Sequence, residues 1–437
     1  MSDSIPTQSS PPNDPPVEFE APLWERHLAY QRDVIEERKQ AVAEAAAERP
    51  DAESTPIRAG DLETLPYGPP DDSGHISGEI IATFGEVESE YASLRRAAGL
   101  MDYPQRATLR ITGSERRDFL NRMLTNELKD LDAGVCRRSF WLNRKGRIDA
   151  DLLLVETGEA LFVDLDIHHA THTVKTLDDF LFAEDVAIRN VTDEFYRIVL
   201  HGPKALLAIA SAAGATDFQL APGEAKTITI ADQPVIAARA DEIGAPGVHL
   251  FLPRAHVERI WNALLASDQP IGQGKRRVRP VGWFAYNIAR IEAGTPLFNV
   301  DFGSTNLPHE SGVLRERVSF TKGCYLGQEV VARMESLGQP KQKLIGLKPE
   351  GQNLPIAGAQ VFTLQQEEDG RIVMGEPIGA VTSSTPSPLR GGEPICFAMV
   401  RTRHAKIGNM LTVSADGEMD RATVTDLSFL PEGFSDA

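Results

Sequence analysis

A chain of 437 residues exceeds what one ordinary hydrophobic core serves, so two or three domains are expected. Its hydrophobic (41%) and charged (25%) fractions are those of a soluble globular protein. The net charge of −18 is concentrated at the start: residues 1–85 hold 17 acids against 6 bases, leaving −7 for the other 352, and so mild a surplus excludes a general binder of nucleic-acid phosphates.

Residues 1–20, with two Pro-Pro pairs, lack the apolar surface to offset their ordering entropy, and disorder is expected. Residues 23–49 read as a helix with a thin stripe at Leu28, Ile35 and Val42, stopped by Pro50. Such a helix docks on a partner or on the protein's own body, or stands solvated; the stripe alone does not choose. Prolines and acids return over residues 50–72 as a linker, so residues 1–74 form an acidic extension with one helix. The body begins near His75. A helix over residues 86–98 leads through Gly99 to a strand with Ala107, Leu109 and Ile111 at alternate positions. Thr112-Gly113-Ser114 then supplies a turn and an N-cap for a helix burying Phe119, Leu120, Met123 and Leu124.

The next unit is a hairpin: residues 148–156, a turn at Thr157-Gly158-Glu159, and residues 160–166. Ile148, Ala150, Leu152 and Leu154 point one way, and Asp149, Asp151, Leu153 and Val155 the other. Asp151 at the edge of that apolar strip is either a pocket carboxylate or a rim acid in water. His168, His169 and His172 cluster on the following helix, but Val174, Leu177 and Leu181 define its buried stripe. That places the histidines near the polar face with no third ligand, and no metal site is expected.

A second α/β unit follows: a strand over residues 198–200, a helix through Ala213 with Pro203 in its first turn, strands near residues 226–230, 234–240 and 247–252, and a helix carrying Val257, Ile260, Leu264 and Leu265. Residues 272–277 read as a basic surface turn rather than a phosphate loop. The helix over residues 281–293 places Phe284, Ile288 and Ile291 on one face and stops at Gly294. At Val318 and Phe320 a short β-like run meets Lys322-Gly323-Cys324, and Gly327-Gln328-Glu329 opens a helix. A thiol there stands near a helix N-terminus beside an ammonium, and both favour a thiolate. A free cysteine packed in a strand-to-helix turn is the alternative. From residue 343 to 430, six short apolar runs broken by Gly, Pro and Ser have the pattern of a small β-barrel or jelly roll.

Cys136, Cys324 and Cys396 lie far apart without a CxxC pair, which fits a reducing compartment and offers neither a disulfide framework nor a thiolate metal site. No apolar run reaches membrane-spanning length, and the acidic N-terminus is unlike a signal or transit peptide. A cytoplasmic protein with no membrane and no direct nucleic-acid partner is expected.

Lys322, Gly323, Cys324, Tyr325, Leu326, Gly327, Gln328 and Glu329 match without a gap the signature of the YgfZ family: lysine, glycine, cysteine, an aromatic, any residue, glycine, glutamine, glutamate. That family comprises folate-binding proteins related to the aminomethyltransferase (T-protein) of glycine cleavage. Residues 290–298 and 306–312 look like the segments that precede the signature, and the resemblance runs from about His75 to about Leu430. It implies an α+β, multi-domain architecture: a folate-binding aminomethyltransferase-like region of two α/β subdomains (75–340), then a small C-terminal β-barrel (341–437). It implies tetrahydrofolate or another reduced folate as ligand. It further implies support of iron-sulfur proteins or their assembly factors, and a link to tRNA modification.

The segment from Asn143 to Asp151 looks like the family stretch whose aspartate approaches the folate. The transferases often show two adjacent acids there, and with Ala150-Asp151 only Asp151 carries over. Tyr286 and Phe298 are candidate walls for the folate rings and Arg290 a candidate cation for its glutamate tail, with Cys324 and Lys322 the candidate reactive pair. The alternative is a true aminomethyltransferase, which leaves open whether the chain is an enzyme. Against it, the transferases' pterin-recognising glutamate and tail-binding arginine match Ala245 and Tyr286 here. A third reading is a scaffold whose acidic helical arm recruits a partner.

Overall fold

The computed structural model describes residues 17–19, 21–48, 61–76, 78–266, 278–366, 372–431 and 433–434. Helix α1 (Trp24–Glu48) comes first, then an antiparallel ribbon of β1 (Glu63–Pro66) and β2 (Glu79–Thr83). There follow α2 (Val87–Arg96), β3 (Ala98–Asp102), β4 (Arg106–Thr112), α3 (Arg116–Met123), β5 (Val135–Leu142), β6 (Ile148–Glu156), β7 (Leu161–Asp166), α4 (Ala170–Asp178) and β8 (Ala187–Asn190). The second unit runs β9 (Phe195–His201), α5 (Ala205–Ala212), β10 (Ala225–Ile230), β11 (Gln233–Arg239), β12 (Gly247–Pro253), α6 (Val257–Ala266), β13 (Val278–Pro280) and α7 (Trp283–Ala293). Short α8 (Leu314–Arg317) and α9 (Gln328–Leu337) lead to β14 (Gln342–Pro349), β15 (Gln360–Thr363), β16 (Gln365–Gln366), β17 (Ile372–Val373), β18 (Pro377–Ser387), β19 (Glu393–Arg401), β20 (Met410–Ala415) and β21 (Glu418–Thr425).

Two sheets and a barrel organise these elements. One sheet has the order β5-β6-β7-β4-β8, the other β10-β11-β12-β9-β3-β13, and β14-β19-β18-β15-β20-β21 close on themselves. Closure leaves the small barrel no open edge, which is how a short all-β unit avoids unwanted pairing. Helices α3 and α4 cover one face of the five-stranded sheet, where Ala150, Leu152 and Leu154 of β6 are buried. Leu153 and Val155 point the other way, and they meet Ile236, Ala238 and Phe251 of the six-stranded sheet. Burial on both faces explains why β6 is apolar without alternation from Leu152 to Val155. Among the described residues no helix is long and apolar enough to cross a membrane.

Several expectations are corrected. The linker over residues 50–72 contains β1, which pairs with β2, so the folded body starts before His75. Of the readings left open for helix α1, its start docks on the protein's own body: Leu23 just before it and His27 within it are fully buried, and His27 Nε2 lies 2.8 Å from Asp102 Oδ2 on β3. Gly99 is no turn but the second residue of β3, whose five residues are all buried. Ser114 does not cap α3; its hydroxyl donates to Asp185 Oδ2 at 2.7 Å. Strand β5, unread in the sequence, pairs with β6 along its length. In α7 the buried side is Trp283, Ala285, Tyr286, Ala289, Arg290, Ile291 and Glu292, while Phe284 and Ile288 line an open groove. Val318 and Phe320 lie outside any strand, and His168 and His169 are buried rather than on a polar face. The disorder expected for residues 1–20 and the basic turn at 272–277 fall outside the described residues, apart from 17–19.

Candidate functional site

Where the two sheets meet α7, side chains converge on a cavity of about 60 Å³. Its walls are Tyr67, Tyr103, Trp283, Tyr286, Leu297, Phe298 and Val300, and its polar lining is Gln105, Arg106, Arg138, Asp151, Asp164, Arg197, Glu242 and His249. Three guanidinium groups thus face three carboxylates, with Asp151, Asp164, Glu242 and Arg197 buried and Arg106 and Arg138 partly so. Burial of this kind is tolerable only with pairing. Asp164 holds Arg106 with two hydrogen bonds (3.1 and 2.7 Å) and lies 2.6 Å from Arg197 Nη1. Burial pushes the Asp164 carboxyl up, but the two guanidinium groups outweigh it and hold the group below its ordinary range.

Glu242 is the centre of the second cluster. Arg138 donates to its Oε1 and Tyr286 Oη to its Oε2 at 2.8 Å, with His201 and His249 within 4 Å. Burial raises this carboxyl, yet Arg138, then His249, His201 and Tyr286, together bring it well below the carboxylate range. Both histidines are lowered as well, because burial takes His201 to about 4 and His249 to about 3 against the pull of Glu242. His249 is therefore neutral at pH 7. Its Nδ1 faces Arg197, which can only donate, so the proton sits on Nε2, which donates to the Ala240 carbonyl at 2.9 Å.

Of the residues expected at the site, Asp151, Tyr286 and Phe298 line this cavity. Asp151 Oδ1 accepts from Nε of buried Arg317 at 3.1 Å, a partner 166 residues away with no trace in the local sequence. Phe298 stands edge-on to His169, with ring centroids 4.9 Å apart. Arg290 is a correction. Its guanidinium is fully buried against Asp301 Oδ2 at 2.6 Å and donates to Ser383 Oγ of the barrel at 2.7 Å, so it ties α7 to the barrel and does not line the charged cavity. Asn143 organises a turn instead of touching the cavity: its Oδ1 accepts from the Lys145 and Arg147 N–H groups, and its Nδ2 donates to Asp149. Trp141 packs on Phe180 away from the cavity, whereas Trp283 lines it.

The reactive pair is also corrected in one member. Lys322 Nζ donates to the carbonyl oxygens of Asn121, Leu124 and Asn126. Those bonds occupy all three ammonium donors, so none is left to support a thiolate. Burial, only partly opposed by Glu127, lowers this amine to about 8. Cys324 is exposed, whereas Cys136 and Cys396 are buried. At the start of α9, Gly327 has φ +80°, and a Cβ there would meet the Asn143 carbonyl at 2.9 Å. Only glycine permits that approach, which seats the cysteine turn on the Asn143 turn.

Sequence reasoning missed Tyr67, Tyr103, Arg138, Asp164, Arg197, Glu242, His249 and Arg317. A signal existed for some of them: Arg197 interrupts the apolar run of β9, and Asp164 and Asp166 alternate with Val163 and Leu165 in β7. A charge inside a buried strand marks a pairing site.

The donor set suits a flat, polar heterocycle. Gln105 Oε1 and Arg197 Nε are buried without a hydrogen-bond partner among the described residues, one an acceptor for a ring N–H and the other a donor for a ring carbonyl. Aromatic side chains flank them. Trp283 and Val300 also line an adjoining apolar groove of about 460 Å³ between α7 and the barrel.

Residues 67–322 match the family model of the GCVT N-terminal domain, and residues 342–430 that of the glycine cleavage T-protein C-terminal barrel domain. The chain is 29% identical over 334 residues to an aminomethyltransferase of Streptomyces avermitilis, covering 74% of this chain and 84% of the relative. It is 26% identical over 356 residues to an aminomethyltransferase of Caldanaerobacter subterraneus subsp. tengcongensis, covering 80% and 90%. The crystal structure of the glycine cleavage system aminomethyltransferase T from Bartonella henselae shares the fold, with a TM-score of 0.71 at 22% identity over 85% of this chain and 95% of that one. The chain belongs to the glycine cleavage T-protein family, whose members bind tetrahydrofolate.

Proposed function

We propose that this chain holds the pterin of a reduced folate in the charged cavity and acts in folate-borne one-carbon transfer of the aminomethyltransferase kind. The observation that carries the reading is Glu242. The family resemblance gives the pterin-recognising acid to the position of Ala245, and three residues upstream Glu242 brings a buried, ionised carboxylate into the cavity beside Tyr286. The loss at Ala245 therefore does not leave the site without an acid, which removes the main argument against the transferase reading.

A reduced folate supplies a nucleophilic ring amine as carrier of the one-carbon unit. The chain's own residues would recognise and orient it: Glu242 and Gln105 accept from N–H groups, Arg197 donates, and Trp283 and Phe298 wall the rings. Asp151, balanced by Arg317, presents a carboxylate at the reacting side. A cavity of about 60 Å³ holds a few waters, so ring entry needs side chains to part. The neighbouring groove has the volume of a ligand site of roughly 300–1,000 Å³ and gives the rest of the molecule room.

Tetrahydrofolate titration followed through Trp283 fluorescence, together with an aminomethyl-transfer assay using a lipoyl carrier protein, tests this reading. Binding and turnover are expected, and Asp151→Ala weakens binding about five- to 150-fold by leaving ligand N–H groups unpaired. No binding by the unaltered protein would reject the folate reading.

A second reading is favoured by Cys324. An exposed thiol on a tightly seated turn, carried by a YgfZ-type signature, points to folate-dependent support of iron-sulfur proteins. Folate binding without aminomethyl transfer, and failure of Cys324→Ser to restore iron-sulfur enzyme activity in cells lacking the native protein, would select it.

A further inference from the structure

The N-terminal segment precedes the stretch matched by the family model, yet it packs against one cavity-lining tyrosine, Tyr67, and bonds to Asp102, the chain neighbour of another, Tyr103. The Phe19 ring packs edge-on to Tyr67 and to His168, with centroids 6.4 and 6.3 Å apart, and His168 stacks on Tyr67. A Cβ at Gly78 would lie 2.3 Å from the Phe19 ring, so glycine there leaves the space this ring fills. Tyr67 in turn donates to buried Asp166. Eight residues after Phe19, His27 is anchored to Asp102, which also accepts from Tyr196 at 2.7 Å. Tyr103, next along the chain, lines the cavity, and its N–H bonds to the carbonyl of Arg197 at 3.3 Å. A cavity of about 290 Å³ remains between these two anchors, lined by Phe19, Ala21, Trp24, Ile80, Asp102 and Pro104 among others.

We propose that residues 17–19 and 21–27 form a strap in which Phe19 and His27 are positioning residues that set Tyr67 and Tyr103 for the folate. The physical reason is leverage at two points. A ring wall holds a ligand only as firmly as its own support, and here part of that support comes from a separate segment held by the Phe19 wedge, the Val17 N–H on His168, buried Leu23, Arg26 on Asn262 and the His27–Asp102 hydrogen bond, with unfilled space between. The proposal rests on the folate reading of the cavity.

The test uses the full chain with Phe19→Ala, His27→Ala and the conservative His27→Gln, which keeps a nitrogen donor for Asp102. Tetrahydrofolate affinity is expected to fall about tenfold in the two alanine variants and to recover in His27→Gln. Without any ligand, hydrogen exchange at the amides of Tyr67 and Tyr103 is expected to quicken in the alanine variants while amides of the C-terminal barrel keep their rates. Wild-type exchange at both amides, with wild-type affinity, overturns the proposal and leaves the folate reading intact. A protein that binds no folate rejects that reading, and the exchange rates still decide whether the strap positions the two tyrosines. Faster exchange throughout the chain would mark general destabilisation and also overturn the proposal.

Discussion

Tyr286 Oη donates to Glu242 Oε2 at 2.8 Å inside the cavity, joining α7 to the loop between β11 and β12. Arg138 completes the charge balance. Removing Glu242 leaves that guanidinium and the Tyr286 hydroxyl unpaired, so Glu242→Ala should lower folding stability by about 3–5 kcal/mol. Tyr286→Phe removes one bond to a charged acceptor and should cost about 1.5–3 kcal/mol. Urea denaturation measures both, and equal losses would contradict the central place given to the carboxylate.

Arg290 and Asp301 bind the barrel to α7, with Thr382 and Ser383 donating to Asp301 Oδ1. Arg290→Ala strands a buried aspartate, and a stability loss of about 3–5 kcal/mol is expected with folate affinity unchanged. A selective loss of affinity at unchanged melting temperature would restore Arg290 to the role of ligand cation.

Acid should loosen the site before it titrates the carboxylates. His201 and His249 have folded pKa values of about 4 and about 3, below the ordinary 6.5. Between those values and 6.5 the unfolded chain binds more protons, so stability is complete above pH 6.5 and falls as the pH drops toward 4. Denaturation midpoints at pH 7.5 and pH 5 measure the effect, and His201→Asn should reduce the difference. Identical midpoints would show that the two imidazoles keep ordinary pKa values in the folded chain.

Burial raises the thiols of Cys136 to about 11 and of Cys396 to about 12, while Cys324 is exposed. Iodoacetamide near neutral pH should therefore modify Cys324 first. Lys322→Ala leaves three carbonyl oxygens without their donor and should reduce stability by about 1–3 kcal/mol or more. It should leave the alkylation rate of Cys324 unaltered, because the ammonium is committed elsewhere. A large fall in that rate would reinstate Lys322 as the partner of the thiol.

The elements whose burial repeats locally were legible in the order of residues alone. The alternation of Ala107, Leu109 and Ile111, the run from Ile148 to Val155 and the six apolar stretches after residue 343 all became strands, because each face reports its own environment at a fixed period. The cysteine turn and Asp151 were legible for a similar reason, since glycine positions and a strand-borne acid carry meaning within a few residues. Tertiary structure alone decided which charges serve the site. Arg290 has the chemistry of a ligand cation, but Asp301 and Ser383 claim it; Lys322 has the chemistry of a thiolate partner, but carbonyl oxygens from residues 121–126 claim it. Glu242 and Arg138, 104 positions apart, meet only because two sheets pack face to face, and Phe19 and His27 find their partners far along the chain, at Tyr67, His168 and Asp102. Ion pairs and buried polar contacts of this range leave no period in the sequence. Their partners are fixed by the packing of whole layers, and low-dielectric surroundings then make each pairing obligatory.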